Sequence, residues 1–168
     1  MFDFRACIHE VSHAAVARAL GVAVVHAIVN PDGSGATKLD WRFNDRDFDW
    51  HIPLCITLAG AAGERLFVGP AEYHDHELKR ARSWVEAIRF LPPDSLRCVV
   101  QNEPEFVAAT CRAGKLLRAE SGLIVQLARR LEQSGFLGGD AIEAVASSRD
   151  PRVLRDRLNL REQNSLRC

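Results

Sequence analysis

The sequence lacks a charge excess of either sign, because 22 lysine and arginine residues balance 22 aspartate and glutamate residues. A nucleic-acid-binding protein needs a basic surface, and an acidic disordered chain needs a negative excess, so the balance argues against both classes. The chain also lacks a Cys-x-x-Cys pair, although it contains five cysteines. Dispersed cysteines in an odd number indicate reduced thiols in a cytoplasmic protein, and we expect Cys7 and Cys55 to be small core residues.

Long apolar runs are missing as well. The most apolar stretch, residues 14–29, is interrupted by Arg18 and His26 and is too short to cross a bilayer. The first residues do not show the basic and then apolar pattern of a secretory signal, and no Gly-x-x-x-x-Gly-Lys-Ser/Thr motif of a P-loop is present. We therefore expect one soluble globular domain without a membrane segment and without its own nucleotide-binding site.

Hydrophobic periodicity predicts an α+β fold that is predominantly helical. The predicted helices cover residues 3–20, 52–67, 75–90, 105–133 with a break near 120–122, and 140–147. Two segments, residues 22–30 and 35–41, predict strands on either side of an Asn-Pro-Asp-Gly turn. Small residues at 59–63 would let another helix approach closely, so we expect that segment to be buried. Residues 42–51 and 91–104 are expected to be loops, and residues 148–168 a polar tail.

The pattern with the most specific chemistry is His9-Glu10-Val11-Ser12-His13, in the first predicted helix. Residues at i and i+4 share one helix face, so the imidazoles of His9 and His13 can point at a single metal ion. A catalytic zinc ion needs three protein ligands and an open position for water. Glu10 lies next to the first ligand, from where it can accept the proton of that water. The pattern predicts a zinc site with Glu10 as the general base.

The third ligand is left open by this spacing. Its candidates are grouped at the start of the helix predicted over 75–90, where the helix dipole favours acidic side chains even without a metal. The candidates are His74, Asp75, His76 and Glu77. Two incidental histidines on a half-buried helix are the alternative to any metal site, but a His-Glu-x-x-His pattern arises by chance in such a chain only on the order of once in a hundred.

Several stretches resemble, in the same order, the peptidase domain of FtsH-type zinc proteases. They are HEVSH at 9–13, VVHAIVNPDG at 24–33, LAGAAGERLFVG at 58–69, HELKRA at 76–81 and the helical segment 113–145. The resemblance implies one zincin-like metallopeptidase domain over residues 1–147. In that domain a zinc-site half, residues 1–90, carries a small sheet beside the zinc-binding helix, and a helical half follows at 105–147. Glu77 takes the place of the family's ligand aspartate, so the implied ligands are His9, His13 and Glu77, with Asp75 as the second choice.

The same resemblance implies a zinc-dependent endopeptidase that hydrolyses unfolded proteins or peptides with metal-activated water. The ATPase module and the transmembrane segments of that family have no counterpart in this sequence, so we expect activity that is in itself independent of ATP. A separate ATPase partner and a homo-oligomer are left open. Residues 34–40 are the candidate sheet edge that would bind substrate as an added strand. The alternative is a zinc-stabilised module that binds proteins or peptides without cleaving them, against which the presence of Glu10 argues.

Overall fold

The structure is a computed structural model that describes residues 1–41, 49–91 and 100–148. The predicted loops 42–51 and 91–104 lie largely outside the described residues. The predicted polar tail, 148–168, lies outside them after its first residue.

Helices make up most of the described chain, and a small antiparallel sheet completes it, which confirms the predicted α+β class. The helices are α1 (Phe4–Ala19), α2 (His51–Thr57), α3 (Ala59–Phe67), α4 (Asp75–Ile88), α5 (Pro104–Ala119), α6 (Ser121–Ser134) and α7 (Gly139–Ser147), with a short 3-10 helix over Val100–Asn102. The strands are β1 (Ala23–Val29), β2 (Gly35–Asp40) and β3 (Phe136–Gly138). In the part of the chain that the structure describes, no helix combines the length and the apolar character that crossing a membrane requires.

Helix α1 begins and ends where its local sequence predicts. The carboxylate of Asp3 caps the helix by accepting hydrogen bonds from the backbone N–H groups of Arg5 and Ala6, at 2.7 and 3.3 Å. Leu20 is the C-cap residue of α1. The next residue, Gly21, has a φ of 79°, a left-handed conformation that favours glycine. Most of α1 is buried, so it is the central helix around which the other elements pack.

The sheet has the strand order β2-β1-β3, with β1 in the middle. Strands β1 and β2 form the predicted hairpin, in which Val29 lies opposite Gly35 and Ala23 opposite Asp40. The sequence does not predict β3, because three residues are too few to show an alternation and their partner strand is distant in the chain. Among the described residues β2 pairs only with β1, so the candidate substrate edge, residues 34–40, does lie at an edge of the sheet.

The two halves of the chain share one hydrophobic core. The helix predicted over 52–67 is divided at Leu58 into α2 and α3, and the small residues at 59–63 are buried where α3 packs on α1, as predicted. Helix α1 also packs on α6, and the predicted break in the long second-half helix separates α5 from α6 at Glu120. Cys7 and Cys55 are fully buried in the core, also as predicted.

Candidate metal centre

His9 and His13 lie one turn apart on α1, and their ring centroids are 4.8 Å apart. Their side chains are only 9% and 15% exposed, because α3 packs on this face of α1 and the side chain of Glu77 on α4 approaches both rings. The i, i+4 spacing therefore brings two imidazoles to one buried location, which is the arrangement that the sequence predicts.

Hydrogen bonds to the Nδ1 atoms fix the tautomers of both histidines. Nδ1 of His9 lies 2.7 Å from Oε1 of Glu64, and the other oxygen of that carboxylate accepts a hydrogen bond from Arg5 at 2.8 Å. Nδ1 of His13 lies 2.7 Å from the backbone carbonyl oxygen of Ile56. Carboxylate and carbonyl oxygens only accept, so each Nδ1 carries a proton and each neutral ring keeps a lone pair on Nε2. Both rings are thus oriented to bind a metal through Nε2.

The carboxylate of Glu77 faces both Nε2 atoms. Its Oε1 lies 3.4 Å from Nε2 of His9 and 3.7 Å from Nε2 of His13. Its Oε2 accepts a hydrogen bond at 2.9 Å from the backbone N–H of His74, whereas Oε1 is buried and has no hydrogen-bond partner. A buried carboxylate oxygen without a partner destabilises the folded state, and here that oxygen faces two nitrogen lone pairs. A cation bound between these three atoms would satisfy all of them at once.

Protonation of His9 at Nε2 is the alternative way to give Oε1 of Glu77 a partner. Burial by itself lowers the pKa of His9, but the hydrogen bond to Glu64 and the charges of Glu77 and Glu10 outweigh burial and raise it. The separation of 3.4 Å between His9 Nε2 and Glu77 Oε1 is, however, longer than the N–H···O hydrogen bonds usual in proteins. The same negative charges that favour a proton at this position also favour a metal cation.

His13 stays neutral across the physiological pH range. Burial lowers the pKa of His13 to about 3, and the positive charge of Arg80 acts in the same direction, as does a proton on His9 when that ring is charged. Burial raises the pKa of Glu64, but the hydrogen bonds from His9 and Arg5 outweigh it and lower that pKa. Glu64 therefore remains a carboxylate that can hold the His9 ring in place.

Glu10 is buried beside the two histidines and is held by the sheet. The hydroxyl of Thr37 on β2 lies 2.8 Å from Oε2 of Glu10 and 2.8 Å from its backbone oxygen. Gly35 lets the strand come this close, because a Cβ there would lie 2.7 Å from Cγ of Glu10. Burial raises the pKa of Glu10, although the hydrogen bond from Thr37 and the charge of His9 act against burial. A raised pKa makes this carboxylate a stronger base than an exposed glutamate.

Gly60 on α3 keeps the space in front of the histidines open. A Cβ at this position would lie 2.6 Å from Nε2 of His13 and closer still to Nε2 of His9. A side chain there would therefore fill the position from which a metal ion could reach both nitrogens. The next glycine of the helix, Gly63, similarly leaves room for the hydroxyl of Ser12, which donates a hydrogen bond to the backbone oxygen of Ile8.

We expect Gly60→Ala to destabilise the protein and to weaken metal binding, because the added methyl group must push α3 away from α1. Overpacking of this kind costs about 1–3 kcal/mol. Gly114→Ala is the matched control, since a Cβ in that helix would meet only the end of the Arg118 side chain, at 3.5 Å. The control should be neutral or stabilise by up to about 1 kcal/mol. Thermal unfolding and zinc titration of both variants measure the difference, and equal behaviour would contradict the steric role of Gly60.

The other predicted candidates lie outside the cluster of His9, His13 and Glu77. Asp75 is exposed at the first position of α4, directly after the N-cap residue His74. His74 and His76 are exposed, and their rings stack with centroids 5.6 Å apart.

A second set of ligand-type atoms consists of His9, Glu64 and His74. There, however, the contact between His9 and Glu64 is an ordinary hydrogen bond of 2.7 Å, and Glu64 is also paired with Arg5. No atom of the second set is among the buried polar atoms that lack a partner in the described chain, whereas Glu77 Oε1 is. The set of His9, His13 and Glu77 is therefore the better metal site.

A cavity of about 440 Å³ adjoins the three ligand atoms. Its walls come from α1, from the edge strand β2 and from α4, so that Glu10, Thr37 and Glu77 all face it. Sequence reasoning missed the supporting residues Glu64 and Thr37. Both are brought to the site by tertiary packing, and neither forms a local pattern with the histidines.

Comparison with known proteins found no family model and no curated protein that matches the chain.

Proposed function

We propose that this protein is a zinc-dependent peptidase in which His9, His13 and Glu77 hold the metal and Glu10 is the general base. The observation that carries the proposal is the buried Oε1 of Glu77, which has no hydrogen-bond partner and faces two Nε2 atoms whose rings are already anchored through Nδ1. The likeness of the sequence to FtsH-type peptidase domains, and thus a zincin-like identity, is part of the same proposal.

The donor set favours zinc over other common cations. Two imidazole nitrogens and one carboxylate oxygen suit zinc, whereas calcium and magnesium prefer ligand sets made of oxygen. Three protein ligands leave a coordination position open, which is typical of catalytic zinc, whereas structural zinc is usually closed by four. The adjoining cavity and the buried carboxylate of Glu10 favour the peptidase over a module that binds peptides without cleaving them.

When bound, zinc would supply a Lewis acid that polarises the scissile carbonyl group and lowers the pKa of a water molecule. Glu10 accepts the proton of the attacking water and then passes it to the leaving amine. Thr37 keeps the Glu10 carboxylate turned into the cavity through its 2.8 Å hydrogen bond. Glu64 keeps the ring of His9 in the orientation that directs Nε2 toward the site, and the Ile56 carbonyl does the same for His13.

The substrate would be an extended peptide. Strand β2 lines the cavity with Gly35, Ala36 and Thr37, and its outer edge is unpaired among the described residues. An extended segment that added to this edge would lie next to Glu10. Extended binding of this kind restricts the substrates to peptides and unfolded proteins.

The direct test is metal removal. Purified protein should hydrolyse an unfolded casein substrate, lose this activity after dialysis against a chelator, and regain it on addition of about one equivalent of zinc per chain. Magnesium at the same concentration is the control and should not restore activity. Unchanged hydrolysis by the metal-free protein would contradict the proposal, and so would a zinc-loaded protein that binds peptides without cleaving them.

A further inference from the structure

Arg80 lies on α4, one turn beyond Glu77, and lines the same cavity as His9, His13 and Glu10. It is exposed, and among the described residues no carboxylate lies within ion-pair distance of it. An arginine in a cavity is suited to bind an anion, because its planar guanidinium can donate two parallel hydrogen bonds to one carboxylate.

The other charges of the site are already balanced. Glu64 is paired with Arg5 and hydrogen-bonded to His9, and Glu10 and Glu77 both face the position proposed for a divalent cation. Once that cation offsets the two carboxylates, no carboxylate of the described segments is left to pair with Arg80.

A basic surface continues outward from Arg80. The neighbouring cavity on α4 is lined by His76, Lys79, Arg80, Arg82 and Ser83, so the described residues contribute no acidic side chain to its wall. Its charge would attract an anionic group toward the mouth of the metal site and raise its local concentration there.

Apolar side chains share the wall of this cavity with its polar residues. Trp84, Trp41 and Leu39 contribute to it, and the indole N–H of Trp84 donates a hydrogen bond of 3.2 Å to the hydroxyl of Thr57. The volume of about 440 Å³ is within the range of pockets that hold a small ligand or a few side chains. A side chain near the reacting bond therefore has room in this cavity, which Arg80 also lines.

We propose that Arg80 binds a carboxylate of the peptide substrate, so that the site prefers peptides with an acidic side chain or a free C-terminus close to the reacting bond. This inference rests on the proposed peptidase function for its biological meaning, but binding can be measured without any hydrolysis. The two sources of carboxylate present the same chemistry to Arg80, and the peptides used in the test separate them.

The test measures peptide affinity by quenching of tryptophan fluorescence in zinc-loaded Glu10→Gln protein. The probes are alanine- and leucine-based hexapeptides, acetylated and amidated, with one glutamate moved along the sequence and glutamine in the matched set. A third set has a free C-terminus and no glutamate. We expect about tenfold tighter binding when a carboxylate is placed at the correct position, as for a partly solvated charge-assisted hydrogen bond.

Arg80→Gln should reduce this preference to a ratio of about one, because it removes the charge that binds the carboxylate. Lys79→Gln is the matched control, because it removes one positive charge from the residue before Arg80. Lys79 does not line the metal cavity, so this variant should keep the preference for a carboxylate. Equal affinity for all peptides, or a preference that survives Arg80→Gln, would overturn the inference. If the wild type hydrolyses none of these peptides but binds them in an Arg80-dependent way, the inference is supported and the peptidase proposal is contradicted. If the wild type hydrolyses the peptides without any carboxylate preference, the peptidase proposal is supported and the inference is contradicted.

Discussion

Glu10→Gln is expected to keep the fold and the bound zinc but to lower peptide hydrolysis by about 100- to 10,000-fold, the usual contribution of a general base. Glutamine has almost the same shape as glutamate, and its amide oxygen can still accept the hydrogen bond that Thr37 donates at 2.8 Å. What the variant loses is the ability to take a proton from water.

The measurement is kcat/KM on an unfolded substrate, with zinc content determined on the same samples. Glu143→Gln is the control, since this glutamate is exposed on α7, pairs with Arg18 and does not line the cavity beside the histidines. The control should behave like the wild type. If Glu10→Gln retains zinc and hydrolyses the substrate at the wild-type rate, Glu10 is not the base.

Helix α1 could be predicted from the sequence because its determinants are local. The cap at Asp3, the glycine at position 21 and the i, i+4 spacing of His9 and His13 all lie within a single helix and its two ends. Helical periodicity alone then puts both imidazoles on one face. The hairpin could be predicted for the same reason, since β1 and β2 are adjacent in the chain and are joined by the Asn-Pro-Asp-Gly turn.

Other parts of the site depend on contacts between distant segments. Glu64 holds His9 only because small residues let α3 pack closely on α1, and Thr37 reaches Glu10 only because Gly35 lets β2 approach. The third strand, Phe136–Gly138, forms by antiparallel pairing with the edge of β1 that β2 leaves free. Neither a residue pattern nor a periodicity reports such pairings, so Glu64, Thr37 and β3 could not be predicted from the sequence.

Replacement of any one of the three proposed ligands by alanine should reduce zinc affinity by more than about 100-fold, which exceeds the usual effect of removing a residue that only supports a ligand. In the structure His9, His13 and Glu77 offer atoms that all lie within 4.8 Å of one another. Glu77→Ala should also weaken the start of α4, because it removes the acceptor for the backbone N–H of His74.

Asp75→Ala is the control for Glu77→Ala. Asp75 is exposed in the first turn of the same helix, where it contributes about 0.3–1 kcal/mol through the helix dipole. Its replacement should therefore cost some helix stability and leave zinc affinity almost unchanged. The opposite ranking of the two variants would mean that Asp75, and not Glu77, is the third ligand.

The most direct measurement is the zinc content of the purified wild type, determined by mass spectrometry of the metal beside the His9→Ala/His13→Ala double variant prepared in parallel. We expect about one zinc ion per chain in the wild type and none in the double variant, since two of the three ligands are missing. Far-ultraviolet circular dichroism confirms that the variant is still folded. Equal zinc in both proteins, or a folded wild type that takes up no zinc, would contradict the metal site.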